Sequence, residues 1–241
     1  MLVGGRGRVL KIDLHTHSSD DPVDSIAHTS AHLVDRAADL GFDALAITLH
    51  DRQLDLRGLV AGAQERGIVL IRGVERTIQG RHVLLLNFPV QAELVNSFES
   101  LAGLKVRHPE GIVIAPHPFY PHPSRLGRLM DRDEDLFDAV EINAFYTAMV
   151  DFNRAARRWA RTHRKPLVAN SDAHDLSIFG RSFSLVDAEK EPSAICAAIK
   201  RGQVQLQTRP LSTVEAATYL ARMTLRRCRP SAPRRSVPAS V

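Results

Sequence analysis

Apolar and polar positions alternate along this chain in two rhythms. Short runs rich in branched aliphatic residues fall at 8–14 (RVLKIDL), 43–48 (DALAIT), 68–74 (IVLIRGV), 82–88 (HVLLLNF), 111–116 (GIVIAP), 138–143 (DAVEIN), 166–170 (PLVAN) and 182–187 (SFSLVD). Bounded by turn residues, such runs read as strands. Between them, longer stretches at 30–40, 54–66, 92–106, 124–130, 150–163 and 191–201 read as helices, with a last one over 212–226. Gly41 and Gly67 stand just before the second and third strands, where a helix would end.

Strands of nearly continuous apolar character separated by helices predict an α/β fold with a mostly parallel sheet. Seven or eight such units in 241 residues suit a compact (β/α) barrel, with a doubly wound open sheet as the runner-up. Gly4-Gly5-Arg6-Gly7 precedes the first strand instead of following it, so no dinucleotide-binding fingerprint is present. No linker interrupts residues 1–227, which read as a single catalytic domain.

Composition adjusts this picture in three places. A 44% hydrophobic and 24% charged sequence is that of a core-forming globular chain. Its longest apolar runs, such as Val83–Leu86, are too short to span a bilayer. The N-terminus lacks a signal-peptide pattern, and two cysteines, Cys196 and Cys228, make no disulfide framework, so a reducing, cytoplasmic setting is expected. The net charge of +5 is smaller than the six arginines of residues 222–241 alone. The remainder is therefore near neutral, and 228–241 reads as a flexible basic tail instead of part of a nucleic-acid-binding face.

The chemistry lies at the strand ends. His15 and His17 follow the first strand, His50 the second, Glu75 the third, His117 the fifth, and Asp172 and His174 the seventh. In a parallel barrel these ends open on one face. Two residues apart in extended backbone, His15 and His17 project to the same side, and Asp172 and His174 repeat that spacing. Imidazoles and carboxylates without a thiolate suit Zn, Mn or Fe, and the number of donors implies two or three ions with a bridging carboxylate such as Glu75. Such a cluster activates water and clamps phosphoryl oxygens. His82 begins its strand, so it joins the others only if that strand runs antiparallel or its pairing starts later. His28, His32, His108 and His163 read as ordinary loop or helix residues, and His122 as part of a proline turn or a pocket wall.

DLHTH, AITLHD, RGVE, IAPHP and NSDAHD, in that order, resemble the successive motifs of the PHP (polymerase and histidinol phosphatase) family over about residues 12–187. The resemblance implies a distorted (β/α)7-type barrel with a metal site at the C-terminal ends of its strands. It implies one ion on His15, His17, Glu75 and Asp172, a second on Glu75, His82 and His117, and a third on Asp20, His50 and His174. Two departures stand out. Leu49 occupies the place of the usual Asp of the second motif, an orienting group more than a ligand. Ser18-Ser19-Asp20-Asp21 is compressed, which leaves Asp21 as an alternative to Asp20.

The activity expected is metal-dependent hydrolysis of phosphoester bonds, as a phosphatase or phosphodiesterase, by a metal-bound hydroxide with no separate protein base. A small phosphorylated substrate is the expected partner, since no cap domain is evident. Asn143 is a candidate pocket wall, and Arg125 and Arg181 are candidate phosphate contacts. The alternatives are a 5'-3' exonuclease-like nucleic-acid hydrolase, an amidohydrolase-like enzyme, and a catalytically silent metal-binding regulatory module.

Overall fold

A computed structural model describes residues 8–227. Alternation of short strands and helices is what the polar pattern predicts. In chain order they are β1 (Arg8–Asp13), α1 (Ser30–Asp39), β2 (Ala44–Ile47), α2 (Val60–Glu65), β3 (Val69–Ile78), β4 (Arg81–Leu86), α3 (Phe98–Arg107) and β5 (Ile112–Ala115). There follow α4 (Leu129–Arg132), β6 (Ala139–Asn143), α5 (Asn153–Thr162), β7 (Leu167–Asn170), β8 (Ser182–Ala188), α6 (Pro192–Lys200), β9 (Val204–Thr208) and α7 (Thr213–Arg227).

The nine strands among the described residues form one mixed sheet in the order β7-β6-β5-β4-β3-β2-β1-β8-β9. The sheet curls into a nearly closed barrel. Beyond β1, Thr16 bridges Ala173 in parallel, with His17 N donating to Ala173 O (3.2 Å) and Asp172 N to His15 O (2.9 Å). At β7 and β8 the join is made by a side chain: Ala169 N donates to Ser184 Oγ (2.8 Å), which donates to Ala169 O (3.1 Å). The first of these joins lies between the HTH and SDAH segments, so barrel closure and site assembly are one event.

β1, β2 and β3 are mutually parallel, and so are β5, β6 and β7. β4 runs antiparallel to both its neighbours. The β3–β4 hairpin turns at Gln79 and Gly80, whose φ values of 48° and 75° match the doubly left-handed turn that suits strand twist. Reversal of β4 brings its first residues, including His82, to the face where the other strands end.

Helices cover the sheet because their apolar stripes need burial. In α1, Ser30, Leu33, Val34 and Ala37 are buried at helical spacing, and Thr29 Oγ1 caps His32 N. In α3, Ser97 and Ser100 form a reciprocal capping box. Leu33, Val34, Phe42, Leu45, Ile47 and Leu49 share one apolar cluster, to which Tyr219 of α7 adds a partly buried ring. A larger cluster joins β4 and β5 to α3 and α5. Gly73 sits where a Cβ would lie 2.6 Å from Leu86 Cδ2 and 2.8 Å from Thr48 Cγ2. Any larger residue would have to displace Leu86 or Thr48 for β3 to pass there.

Several expectations shift in detail. β3 extends to Ile78, because the hairpin continues its ladder beyond Glu75. β9 was not among the predicted strands. Its polar-apolar alternation, VQLQT, is that of an edge strand only half covered. The predicted helix at 124–130 is reduced to the four residues of α4. No helix among the described residues is long and apolar enough to cross a membrane. The basic tail at 228–241 and Cys228 lie outside the described residues.

Candidate metal centre

β1 delivers the first donors. Past Asp13 the backbone stays extended, so His15 and His17 turn to one side and their Nε2 atoms come within 3.2 Å of each other. Glu75, three residues past the last β2 pair of β3 and bridged to His50, places Oε2 3.4 Å from both Nε2 atoms. Asp172 Oδ1, from the loop after β7, lies 3.3 and 3.4 Å from the same pair. These four atoms thus define five edges of a tetrahedron, all between 3.2 and 3.4 Å. A regular tetrahedron of that size has its centre about 2.0 Å from each corner, the bond length of zinc to imidazole or carboxylate. The donor set fits a divalent ion.

The other expected donors gather around it. Glu75 Oε1 faces His82 Nδ1 at 2.7 Å and His117 Nε2 at 3.0 Å, so the two oxygens of one carboxylate serve two sets of imidazoles. His50 Nε2 lies 3.2 Å from Glu75 Oε2, and the rings of His17 and His174 stack at 4.2 Å. His17, His50 and His174 form one potential ligand group, as do His50, Glu75 and His82. His117 (φ 29°) and Asp172 (φ 49°) sit in left-handed backbone, a strained setting common where side chains are aimed into a site.

Asp20 stands apart from this cluster. Its Oδ2 accepts from Ser30 Oγ at 2.6 Å and Ser18 Oγ at 3.3 Å, and its carbonyl accepts from Arg52 at 2.5 Å. Asp21 turns inward instead, with Oδ2 3.0 Å from Nδ1 of both His17 and His50 and 3.0 Å from the His50 amide. Oδ1 of Asp21 receives the amides of Val23 and Asp24, closing the tight turn that the compressed spacing demands. The carboxylate that reaches His174 is Asp24, Oδ2 to Nε2 at 3.0 Å. Spacing alone could not find Asp24, because only the turn brings it back. Leu49 is fully buried in the apolar cluster under α1, so an orienting carboxylate comes here from Asp21 and not from the residue before His50.

A second ring of groups orients the donors. His15 Nδ1 meets Glu141 Oε1 at 2.8 Å, and Glu141 also accepts from Asn170 Nδ2 (3.0 Å) and from the His117 amide (2.8 Å). Such a contact leaves Nε2 of His15 free to face an ion. Glu141 was missed in the sequence, although a charged residue inside an apolar strand is a signal worth reading. Asn143 lines the cavity and donates to Asp172 Oδ2 at 2.9 Å, so it holds a donor as well as forming a wall. His28, an ordinary loop residue by sequence, is buried with Nε2 2.8 Å from His17 O.

Imidazoles and carboxylates hold one another charged here: despite burial, acidic neighbours raise His15, His50, His117 and His174. Burial would raise the Glu75 carboxyl, but His15 and His82 hold it well below the usual range. Asp172 is likewise held low, against burial, by His15 and His17. Burial and the neighbouring His174 lower His17, favouring the neutral imidazole that ligates metals. Asp13, whose carboxylate receives the amides of His15 and Ser171, is pushed up to about 7 by burial.

Arg125 and Arg181 take no part in the cluster. Arg181 pairs with Glu215 of α7, and Arg125 lines a separate groove with Arg81, Arg128 and Arg132. The cluster itself floors a cavity of about 310 Å3. His122 lines it too, with Nδ1 2.6 Å from Ser124 Oγ.

Comparison with known proteins agrees with this architecture. A PHP-associated family model matches residues 151–204. No curated protein matched the sequence. Among solved structures, one similar chain is a two-domain protein from Bacteroides vulgatus containing a predicted PHP-like metal-dependent phosphoesterase. It is 18% identical with a TM-score of 0.65, over 90% of this chain and 70% of that one. PsfC from Pseudomonas syringae is 17% identical with a TM-score of 0.64, over 91% and 98%. A lesion-specific endonuclease from Pyrococcus furiosus is 20% identical with a TM-score of 0.57, over 83% of this chain and 58% of that one. The PHP-associated model thus covers the segment that carries Asp172 and His174, and the chain shares its fold with solved PHP-like structures.

Proposed function

We propose that the chain is a metal-dependent hydrolase of phosphoester bonds acting on a small phosphorylated substrate, with residues 1–227 as a single catalytic domain. The observation that carries this reading is the tetrahedron of His15, His17, Glu75 and Asp172 donors, with Glu75 turning its second oxygen to His82 and His117. His50, His174 and Asp24 are suited to a further ion. When bound, two or three divalent ions (Mn, Zn or Fe) supply Lewis-acid polarisation of the phosphoryl oxygens and lower the pKa of water.

The chain's own groups hold that chemistry in place. Glu141 keeps the proton of His15 on Nδ1, and Asp21 does the same for His17 and His50. Asn143 fixes the direction of Asp172. Tyr120, Phe145 and Tyr219 form an aromatic wall beside the cluster, which keeps bulk water from the reacting phosphorus and strengthens its electrostatics. A reducing, cytoplasmic setting belongs to the same reading, in keeping with a free, buried Cys196.

Metal analysis of the purified protein, with hydrolysis of 4-nitrophenyl phosphate before and after Mn²⁺ or Fe²⁺ addition, tests the proposal. Less than one ion per chain and no turnover after loading would sink it. A second reading, a nuclease, has one specific support. The groove of Arg81, Arg125, Arg128 and Arg132 meets the cavity at His122, an arrangement that would suit a phosphate backbone. Cleavage of duplex DNA that falls on Arg125→Ala plus Arg128→Ala, without loss of small-ester turnover, would favour that reading.

A further inference from the structure

The cavity has two unlike halves. Its floor is the cluster of imidazoles and carboxylates. Its outer wall is apolar, built from Tyr120, Phe145, Ile178, Tyr219, Leu220 and Met223. Three of these come from α7, where Tyr219 and Met223 are one turn apart on the same side and Leu220 lies next to them. Tyr219 packs its ring 5.3 Å from that of Phe145, and Tyr120 donates its hydroxyl to Phe145 O at 3.0 Å. The wall is therefore braced from two directions. Leu220 nevertheless stays 53% exposed at the mouth of a polar site, an apolar side chain without enough protein to cover it.

Charge sharpens the picture. Among the described residues lining the cavity, none is lysine or arginine. Asp24 and Asp172 line it, and Arg181, a candidate phosphate contact by sequence, is paired with Glu215. A second anionic group held within the cavity would face carboxylates and hydrocarbon, which is unfavourable, and only one long enough to pass His122 would reach the arginines of the neighbouring groove. A compact apolar group would instead cover Leu220 and Met223 and lose water from both surfaces. At about 310 Å3 the cavity is at the small end of ligand pockets, enough for one ring beside a phosphoryl group.

We propose that the substrate is a phosphate ester of a compact, uncharged, apolar alcohol, aromatic or branched aliphatic, whose hydrocarbon part rests on Tyr219, Leu220 and Met223. This inference rests on the phosphoester reading above and names the substrate class for the same site. In the reaction the ester P–O bond breaks and the oxygen of water joins phosphorus. One proton of that water goes to the alcohol oxygen, so the alcohol and the phosphoryl product leave without any change of oxidation state.

Calorimetric binding of phenylphosphonate and methylphosphonate to the metal-loaded protein tests the wall directly, since neither is hydrolysed. Phenylphosphonate should bind at least about tenfold tighter. Leu220→Asp and Met223→Asp should each bring the affinity ratio toward one, while the conservative Leu220→Met keeps it. In parallel, benzyl phosphate, an alkyl ester like the other two, should be turned over with a kcat/KM at least about tenfold above glycerol 2-phosphate and AMP. Equal affinities for the two phosphonates, or equal turnover of the three esters, overturns this inference and leaves the phosphoester reading standing. Absence of turnover for every ester, with no binding of either phosphonate, overturns both.

Discussion

Glu141 Oε1 lies 2.8 Å from Nδ1 of His15, and neither side chain is exposed to solvent. A carboxylate in that position fixes the ring and its tautomer and makes the other nitrogen a better donor. Glu141→Gln keeps the shape but removes the charge. We expect metal affinity to fall by roughly 10–100-fold with the fold retained. Competition with a chromophoric chelator measures the loss, and an affinity equal to wild type would refute the role.

Asp20 and Asp21 are neighbours with opposite surroundings, the first facing two serines and the second two imidazoles. Asp21→Asn should weaken metal binding by about tenfold or more, whereas Asp20→Asn should leave it within about twofold. Atomic emission analysis after dialysis against a weak chelator separates the two. Equal metal content in both variants would contradict the arrangement.

Gly73 precedes Glu75 by two residues, with no space for a methyl group between Leu86 and Thr48. Gly73→Ala should destabilise the protein by about 1–3 kcal/mol, the typical effect of overpacking. It should also shift Glu75 and reduce metal content. Urea denaturation gives the first quantity and metal analysis the second. A stability unchanged by the substitution would mean that β3 moves freely there.

Asp43 accepts the Lys11 amide at 3.0 Å and pairs with Lys190 at 3.0 Å and Arg8 at 3.3 Å. Although burial opposes it, these partners lower the carboxyl below its ordinary value of 3.8. A group depressed on folding contributes stability above its unfolded pKa and loses that contribution as pH falls through the folded value. Asp43→Asn should therefore be destabilised by about 1–2 kcal/mol at pH 7, narrowing below about pH 4. Thermal melts from pH 7 to pH 3 test this, and a gap that widens in acid would exclude it.

Much of the fold was legible because period two along a strand and its apolar composition are local properties. RVLKIDL, DALAIT and PLVAN announce strands whatever they later touch, and His15 and His17 must share a side in extended backbone. His50, Glu75, His117 and Asp172 were readable for the same reason, as polar residues that end apolar runs. Residues governed by loop path or distant partners were not. Whether Asp20, Asp21 or Asp24 faces the imidazoles depends on a turn closed by Asp21 Oδ1, and compressed spacing admits more than one such turn. Glu141 looks like a stray charge in β6 until His15, 126 residues away, is set beside it.

The sequence by itself determined the strand rhythm, the helical stripes and the donor atoms available for metal, since each follows from neighbours a few residues apart. Only the tertiary structure decided which of those atoms meet. Reversal of β4 carries His82 to Glu75, the Thr16–Ala173 bridge brings His15 to Asp172, and α7 returns from the end of the described chain to wall the cavity. These encounters join residues far apart in the chain, and it is the packing of the whole barrel that selects them.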